Sequence, residues 1–232
     1  MNAVTKKIGV DRGRLEKLAT HWMLILLISS YLGGCNFNRS TDFYQSIYER
    51  CSSGSPGVTA PNSDTTCIKG KIEKDTAVKF VEVVKNTQLK YLVLESEGGY
   101  LTSAIDIGDI ITDKNITAIV NGICASSCSQ FIFIAAEDKI ILPDGGVFFH
   151  GGPISEEAIS EMKLDNKQKE NLLQEQVRFR EFYSDRGVSL DMVTKPPQSV
   201  QTRLDNGEIV FWSWNEKELE NFGVTNVTQY SK

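Results

Sequence analysis

From Cys67 onward, short apolar runs alternate with stretches whose apolar residues recur every three or four positions, the signature of strands and helices in turn. Cys67–Ile72 reads as a short strand. Over 75–86, Ala77, Val78, Phe80, Val81, Val83 and Val84 predict a packed helix despite several β-branched side chains. Tyr91–Leu94 is an apolar run broken by Glu95-Ser-Glu-Gly-Gly99, which suits a buried strand ending in a tight turn. Leu101, Ile105, Ile107 and Ile111 repeat at helical spacing, Ile116–Val120 predicts a further strand, and 126–136 is apolar enough to be a central helix. Ile140–Leu142 and Val147–Phe149 flank a Pro143-Asp-Gly-Gly turn. One long amphipathic helix is expected over 155–186, with Ser155 as its N-cap, Glu156 and Glu157 on its positive end and Gly187 after its close. Asp205-Asn-Gly207 signals a hairpin, 216–221 a last short helix and 224–227 a strand. Alternating buried strands and helices imply an α/β fold with a mostly parallel central sheet and right-handed crossovers.

Upstream the pattern changes. Residues 36–66 are polar and rich in Ser, Gly, Asn and Thr apart from an aromatic patch at 43–48, and read as a tether with at most one helical turn, partly stapled. Before them, Trp22–Leu32 is an uncharged run of 11 residues behind a basic stretch. A helix of that length rises roughly 16 Å, about half of a bilayer core, so the order basic, apolar, small reads as a secretory signal rather than a span. The division is therefore 1–34 signal, 35–66 tether and 67–232 domain.

Leu32-Gly-Gly-Cys35 resembles a bacterial lipobox, which implies lipidation of Cys35 and a periplasm-facing lipoprotein; Asn36 after the Cys points to the outer membrane. The alternative is an ordinary signal peptide with Cys35 incidental. Export changes the reading of the other four cysteines, because an oxidising compartment permits disulfides. Cys51–Cys67 would close a Ser/Gly/Pro-rich loop. Cys124 and Cys128 lie four apart, and are either a short bridge across a sharp turn or two buried thiols.

The chain of 232 residues carries 41% hydrophobic and 24% charged residues, which excludes a disordered polymer and a polytopic membrane protein. Charge is divided unevenly. Residues 1–34 hold five basic against two acidic groups, a balance of +3, and 35–232 hold 20 basic against 28 acidic, a balance of −8. So acidic a body repels phosphate backbones, and no nucleic-acid partner is expected. With only His21 and His150 present, a zinc site finds few ligands; no metal and no cofactor are expected.

Three segments bear chemistry. Glu97-Gly-Gly99 lies between a strand and a helix, where glycines let backbone N–H groups approach a ligand. Gly122-Ile-Cys-Ala-Ser-Ser-Cys-Ser129 crowds hydroxyls at the mouth of an apolar helix. Phe148-Phe-His-Gly-Gly152 brings in the one His beyond residue 34, a general base of ordinary strength near neutral pH. Taken singly, a turn, an N-cap and a surface His would explain them.

Together they resemble the ClpP-like serine proteases of the ClpP/crotonase superfamily, over roughly 67–227. Leu94-Glu-Ser-Glu-Gly-Gly-Tyr is similar to that family's Asn-Ser-Pro-Gly-Gly segment, Cys124-Ala-Ser-Ser-Cys-Ser to its Ala-Ala-Ser-Met block, and Val147-Phe-Phe-His150 to the stretch ending in its base. The resemblance implies a fold of repeated β-β-α and βα units, with Ser127 as nucleophile, His150 as base, and the N–H groups of Gly98 and Cys128 as oxyanion donors. A one-residue offset would move the nucleophile to Ser126. The family's orienting Asp aligns near Phe211-Trp212, where there is no carboxylate; Asp205, Glu208 and Asp191 are the candidates to replace it.

The expectation is thus an anchored serine hydrolase acting on peptide or protein, or a catalytically inactive relative serving as an envelope binding or assembly module. Crotonase-type acyl-CoA chemistry is disfavoured by export, and a Ser–Lys hydrolase would need a distant lysine. The long 155–186 helix falls where ClpP rings interlock, which implies self-association.

Overall fold

A computed structural model describes residues 35–231. Residues 1–34, where a signal and most of the lipobox-like run are expected, lie outside the described residues. The chain divides into two units, 1–43 and 44–232. Of the first, only the opening of helix α1 (Cys35–Ser52) is described.

Among the described residues the second unit is built on a sheet of seven strands: β1 (Gly57–Thr59), β2 (Thr65–Lys69), β3 (Tyr91–Ser96), β4 (Thr117–Ala125), β5 (Asp138–Ile141), β6 (Gly146–Phe148) and β7 (Val227–Gln229). Its order is β1-β2-β3-β4-β5-β7, and every pairing is parallel except β1 with β2. The α/β fold with a mostly parallel sheet is as expected. Strand β4 changes partner along its length, pairing β5 over Thr117–Val120 and β6 over Ile123–Ala125. Between the two halves its register against β3 slips, from Leu94↔Val120 to Ser96↔Cys124, with Gly122 at φ 109° in the bulge.

Both faces of the sheet are buried, as parallel sheets require. Leu92, Leu94, Ala118, Val120 and Ile141 point to one side, into the main core formed with α2 (Thr76–Val84), α3 (Leu101–Thr112) and α4 (Cys128–Phe133). Their alternates Val93, Ile119 and Ile140 point to the other, where Tyr44, Ile47, Tyr48 and Cys51 of α1 cover them. The reading of 35–66 as a tether is therefore corrected: from Tyr44 on, this segment is folded. Residues 44, 47, 48 and 51 follow helical spacing, and the sheet needs a cover on its second face. Cys51 is bonded to Cys67 of β2, which staples that helix to the sheet.

Helix α4 is π-helical rather than the plain helix expected over 126–136. The single helix expected over 155–186 is two, α5 (Glu156–Glu161) and α6 (Asn166–Asp185). Asp165 is the cause: its side chain accepts from the Gln168 N–H while Gln168 reaches back, a capping box that starts a new helix. After α7 (Asp191–Thr194), the stretch ending at Asp205-Asn-Gly207 is not a hairpin. Gln198–Asp205 forms helix α8, closed by the Leu204 carbonyl accepting from Gly207 at positive φ. Helix α9 spans Glu216–Asn221 as expected, and the last strand lies at 227–229 instead of 224–227.

The contact of α3 with α6 tests the packing. A Cβ on Gly108 would lie 2.7 Å from two ring carbons of Phe182 and 3.0 Å from the Phe131 carbonyl oxygen. The Phe182 ring is buried and roofed by the Arg186 guanidinium at 3.5 Å, so it has little room to swing. In an open helix Gly→Ala gains about 1 kcal/mol. Here overpacking wins, and Gly108→Ala is expected to lose about 1–3 kcal/mol in urea unfolding.

Candidate functional site

Strands β3, β4 and β6 are neighbours and parallel, so the loops after them emerge along one edge, where α/β sheets characteristically place ligands. The three segments singled out by sequence are those loops. Glu97-Gly-Gly99 follows Ser96 of β3, Ser126 follows Ala125 of β4, and Phe149-His150 follow Phe148 of β6.

The serine next to His150 is Ser126. Its Oγ lies 2.7 Å from His150 Nε2, a hydrogen bond in which the hydroxyl donates when the neutral ring carries its proton on Nδ1. The expected Ser127 is placed otherwise. It is only 3% exposed, and its Oγ accepts from the Gly99 N–H at 2.8 Å. The correction is one residue, and its cause is where β4 stops. Ala125 still pairs with Phe148, so the first residue free to turn is Ser126, at φ 57°. A non-glycine residue held in that region is strained, a feature that clusters at functional sites. The strain is held from several sides. The Ser126 N–H donates to the Phe148 carbonyl at 3.1 Å, and the Ser126 carbonyl accepts from the Gln130 N–H and the Ser129 hydroxyl. Ser129 thus serves the turn, its Oγ also lying 2.6 Å from the Phe148 carbonyl oxygen. Cys124 and Cys128 are bonded to each other, so the turn is bridged across its base.

His150 is fixed through its backbone. Phe149 and Trp212 exchange hydrogen bonds of 2.8 and 2.9 Å, and the Gln130 side chain donates to the His150 carbonyl and, at 3.0 Å, to that of Gly151. Gln130, which the sequence reading passed over, therefore ties the serine turn to the histidine loop. Its signal was a lone amide inside an apolar helix.

None of the three candidate acids meets the imidazole. Asp191 pairs with Lys195 at 2.9 Å, Asp205 accepts from Gln201 at 2.8 Å, and Glu208 pairs with Arg203 at 2.8 Å. Among the described residues no carboxylate hydrogen-bonds His150. Phe211 packs on its ring instead, at 4.8 Å between centroids.

Gly98 fits tightly against the serine turn. A Cβ there would lie 2.7 Å from that of Ser126 and 2.9 Å from the Ser127 nitrogen, so only glycine at φ 89° allows the approach. Its N–H donates to Ser96 Oγ at 3.0 Å. With the serine shifted by one, the amide that follows it is that of Ser127 rather than Cys128, and Gly98 and Ser127 are the backbone pair beside Ser126.

Burial lowers the His150 pKa from 6.5, since desolvation disfavours the imidazolium. A base with a depressed folded pKa contributes stability that is complete above about pH 6.5 and lost as the pH falls toward the folded value. A ring titration of His150 by NMR is expected to have its midpoint below 6.5, unmoved by Asp191→Asn, Asp205→Asn or Glu208→Gln. A midpoint above 6.5, or one that drops in any of these variants, would mean a carboxylate does reach the ring.

No family model matches the sequence, and no curated protein matches it. Among solved structures, the chain is similar to ClpP1 from Listeria monocytogenes, at 17% identity and a TM-score of 0.45 over 72% of this chain and 91% of that one. It is likewise similar to a mutant of that ClpP1, at 15% identity and a TM-score of 0.48 over 73% of this chain and 92% of that one.

Proposed function

We propose that this protein is a serine hydrolase, acting on peptide or protein, in which Ser126 is the nucleophile and His150 its base. The observation that carries the reading is the 2.7 Å contact between Ser126 Oγ and His150 Nε2, made at a strained turn that the fold secures with backbone bonds and a disulfide. Nε2 takes the hydroxyl proton as Oγ attacks the substrate carbonyl carbon, and returns a proton to the leaving group. Charge on the tetrahedral oxygen falls to the N–H groups of Gly98 and Ser127. Gly98 at present donates to the Ser96 hydroxyl, a neutral acceptor that an oxyanion outcompetes. A donor of this kind is worth roughly 3–4 kcal/mol of barrier. Lipid anchoring at Cys35 in the outer membrane, facing the periplasm, which the Leu32-Gly-Gly-Cys35 motif supports, and self-association through 155–186 complete the reading.

A second reading is a catalytically inactive fold used as a binding or assembly module. Two observations favour it: among the described residues no carboxylate hydrogen-bonds His150, and the Gly98 and Gly99 amides are both taken by serine hydroxyls. Loss of an orienting acid can cost on the order of 10⁴ in rate.

Fluorophosphonate labelling separates the two. The expected outcome is a labelled wild type, labelling abolished in Ser126→Ala, slowed on the order of 10³-fold or more in His150→Ala, and still present in Ser127→Ala. An unlabelled wild type favours the inactive module, and label retained in Ser126→Ala rules out this nucleophile.

A further inference from the structure

We propose that Phe211 is the positioning residue of the hydrolytic pair, holding the His150 imidazole toward Ser126 by ring contact at the place where an orienting carboxylate would act. The inference rests on the Ser126–His150 reading. It follows from strand geometry. Phe149 and Trp212 exchange both of their backbone hydrogen bonds, so they form a hydrogen-bonded antiparallel pair. The next pair outward is His150 with Phe211, whose side chains must stand on the same face, and non-hydrogen-bonded neighbours of this type come closest. The ring centroids are accordingly 4.8 Å apart, with the planes tilted by 59°.

The segment carrying Phe211 is fastened from its other face. Trp212 is buried, and its indole N–H and that of Trp214 both donate to the Met192 carbonyl, at 3.4 and 3.0 Å. Alternation along the chain then presents residue 211 to the imidazole. Phe211 itself is 44% exposed and lies outside the core cluster, so its ring contact serves His150 rather than the fold. An imidazole bonded through Nε2 alone can still rotate about its side-chain torsions. A tilted ring packed against it narrows that rotation without bringing charge.

The test uses the full chain with fluorophosphonate at several concentrations, so that the maximal labelling rate and the concentration for half-maximal rate are obtained separately. Phe211→Ala should lower the maximal rate on the order of 10- to 100-fold, the scale of a small misplacement of a reacting group, with the half-saturating concentration nearly unchanged. Phe211→Tyr, which keeps the ring, should restore most of the rate. A wild-type maximal rate in Phe211→Ala overturns the proposal. So does a change confined to the half-saturating concentration, which would make Phe211 a binding surface. Ring nitrogen and Cε1 resonances of His150, assigned by their loss in His150→Gln, give a readout independent of reactivity. They should report one tautomer and one ring orientation in wild type and exchange broadening in Phe211→Ala. Identical spectra overturn the proposal. An unlabelled wild type whose ring spectrum still depends on Phe211 would refute the hydrolase reading while leaving the positioning intact.

Discussion

The molecule depends on the parallel pairing of β3, β4 and β6. Parallel strands send their carboxyl ends the same way, so three segments separated by tens of residues leave the sheet along one edge. With Ala125 set opposite Phe148, the residue after the first and the second residue after the other have to meet. The contact between Ser126 and His150 is a consequence of strand register. Gly98 reaches the same spot because β3 pairs β4 through Ser96 and Cys124.

That register is bought with an irregularity. Strand β4 slips against β3 between Val120 and Cys124, and only its second half pairs β6. A bulge there bends the strand and re-aims its end, which is how sheets commonly direct a side chain into a site. The turn that follows combines the positive φ of Ser126, the bridge from Cys124 to Cys128 and a π-helical start to α4. These fall on six consecutive residues, Cys124 to Ser129. A backbone kept out of its low-energy regions persists only where its surroundings over-determine it. Here the Phe148 carbonyl, Gln130 and Ser129 supply that surrounding.

The histidine is treated differently from the serine. Its main chain is tied by Trp212 and Gln130, while its ring is met by Ser126 on one side and Phe211 on another. An aromatic neighbour adds burial without charge, and burial lowers the imidazole pKa, whereas a carboxylate would favour the imidazolium. The two environments suit different chemistry. A neutral ring is a ready acceptor of a proton, but among the described residues no carboxylate hydrogen-bonds it to stabilise the charge once it has taken one.

Apolar periodicity by itself determined the strand–helix alternation over 67–149 and the three loops that carry glycine, serine and histidine, since each is written in local pattern, whereas past residue 150 it missed a helix break and took a helix for a hairpin. Local pattern also held what was passed over at α1: Tyr44, Ile47, Tyr48 and Cys51 have helical spacing, but polar neighbours masked it, and only a sheet with a second face to cover makes sense of that stripe. Which of two adjacent serines faces the histidine is not a local property. Ser126 and Ser127 have the same chemistry, and the choice fell to the last residue of β4 still paired to β6. Asp191, Asp205 and Glu208 pair locally, with residues four or five positions away, and only the tertiary structure shows that none of the three hydrogen-bonds the imidazole. Sequence sets which residues can form elements; pairing register, a long-range property, sets which side chains meet.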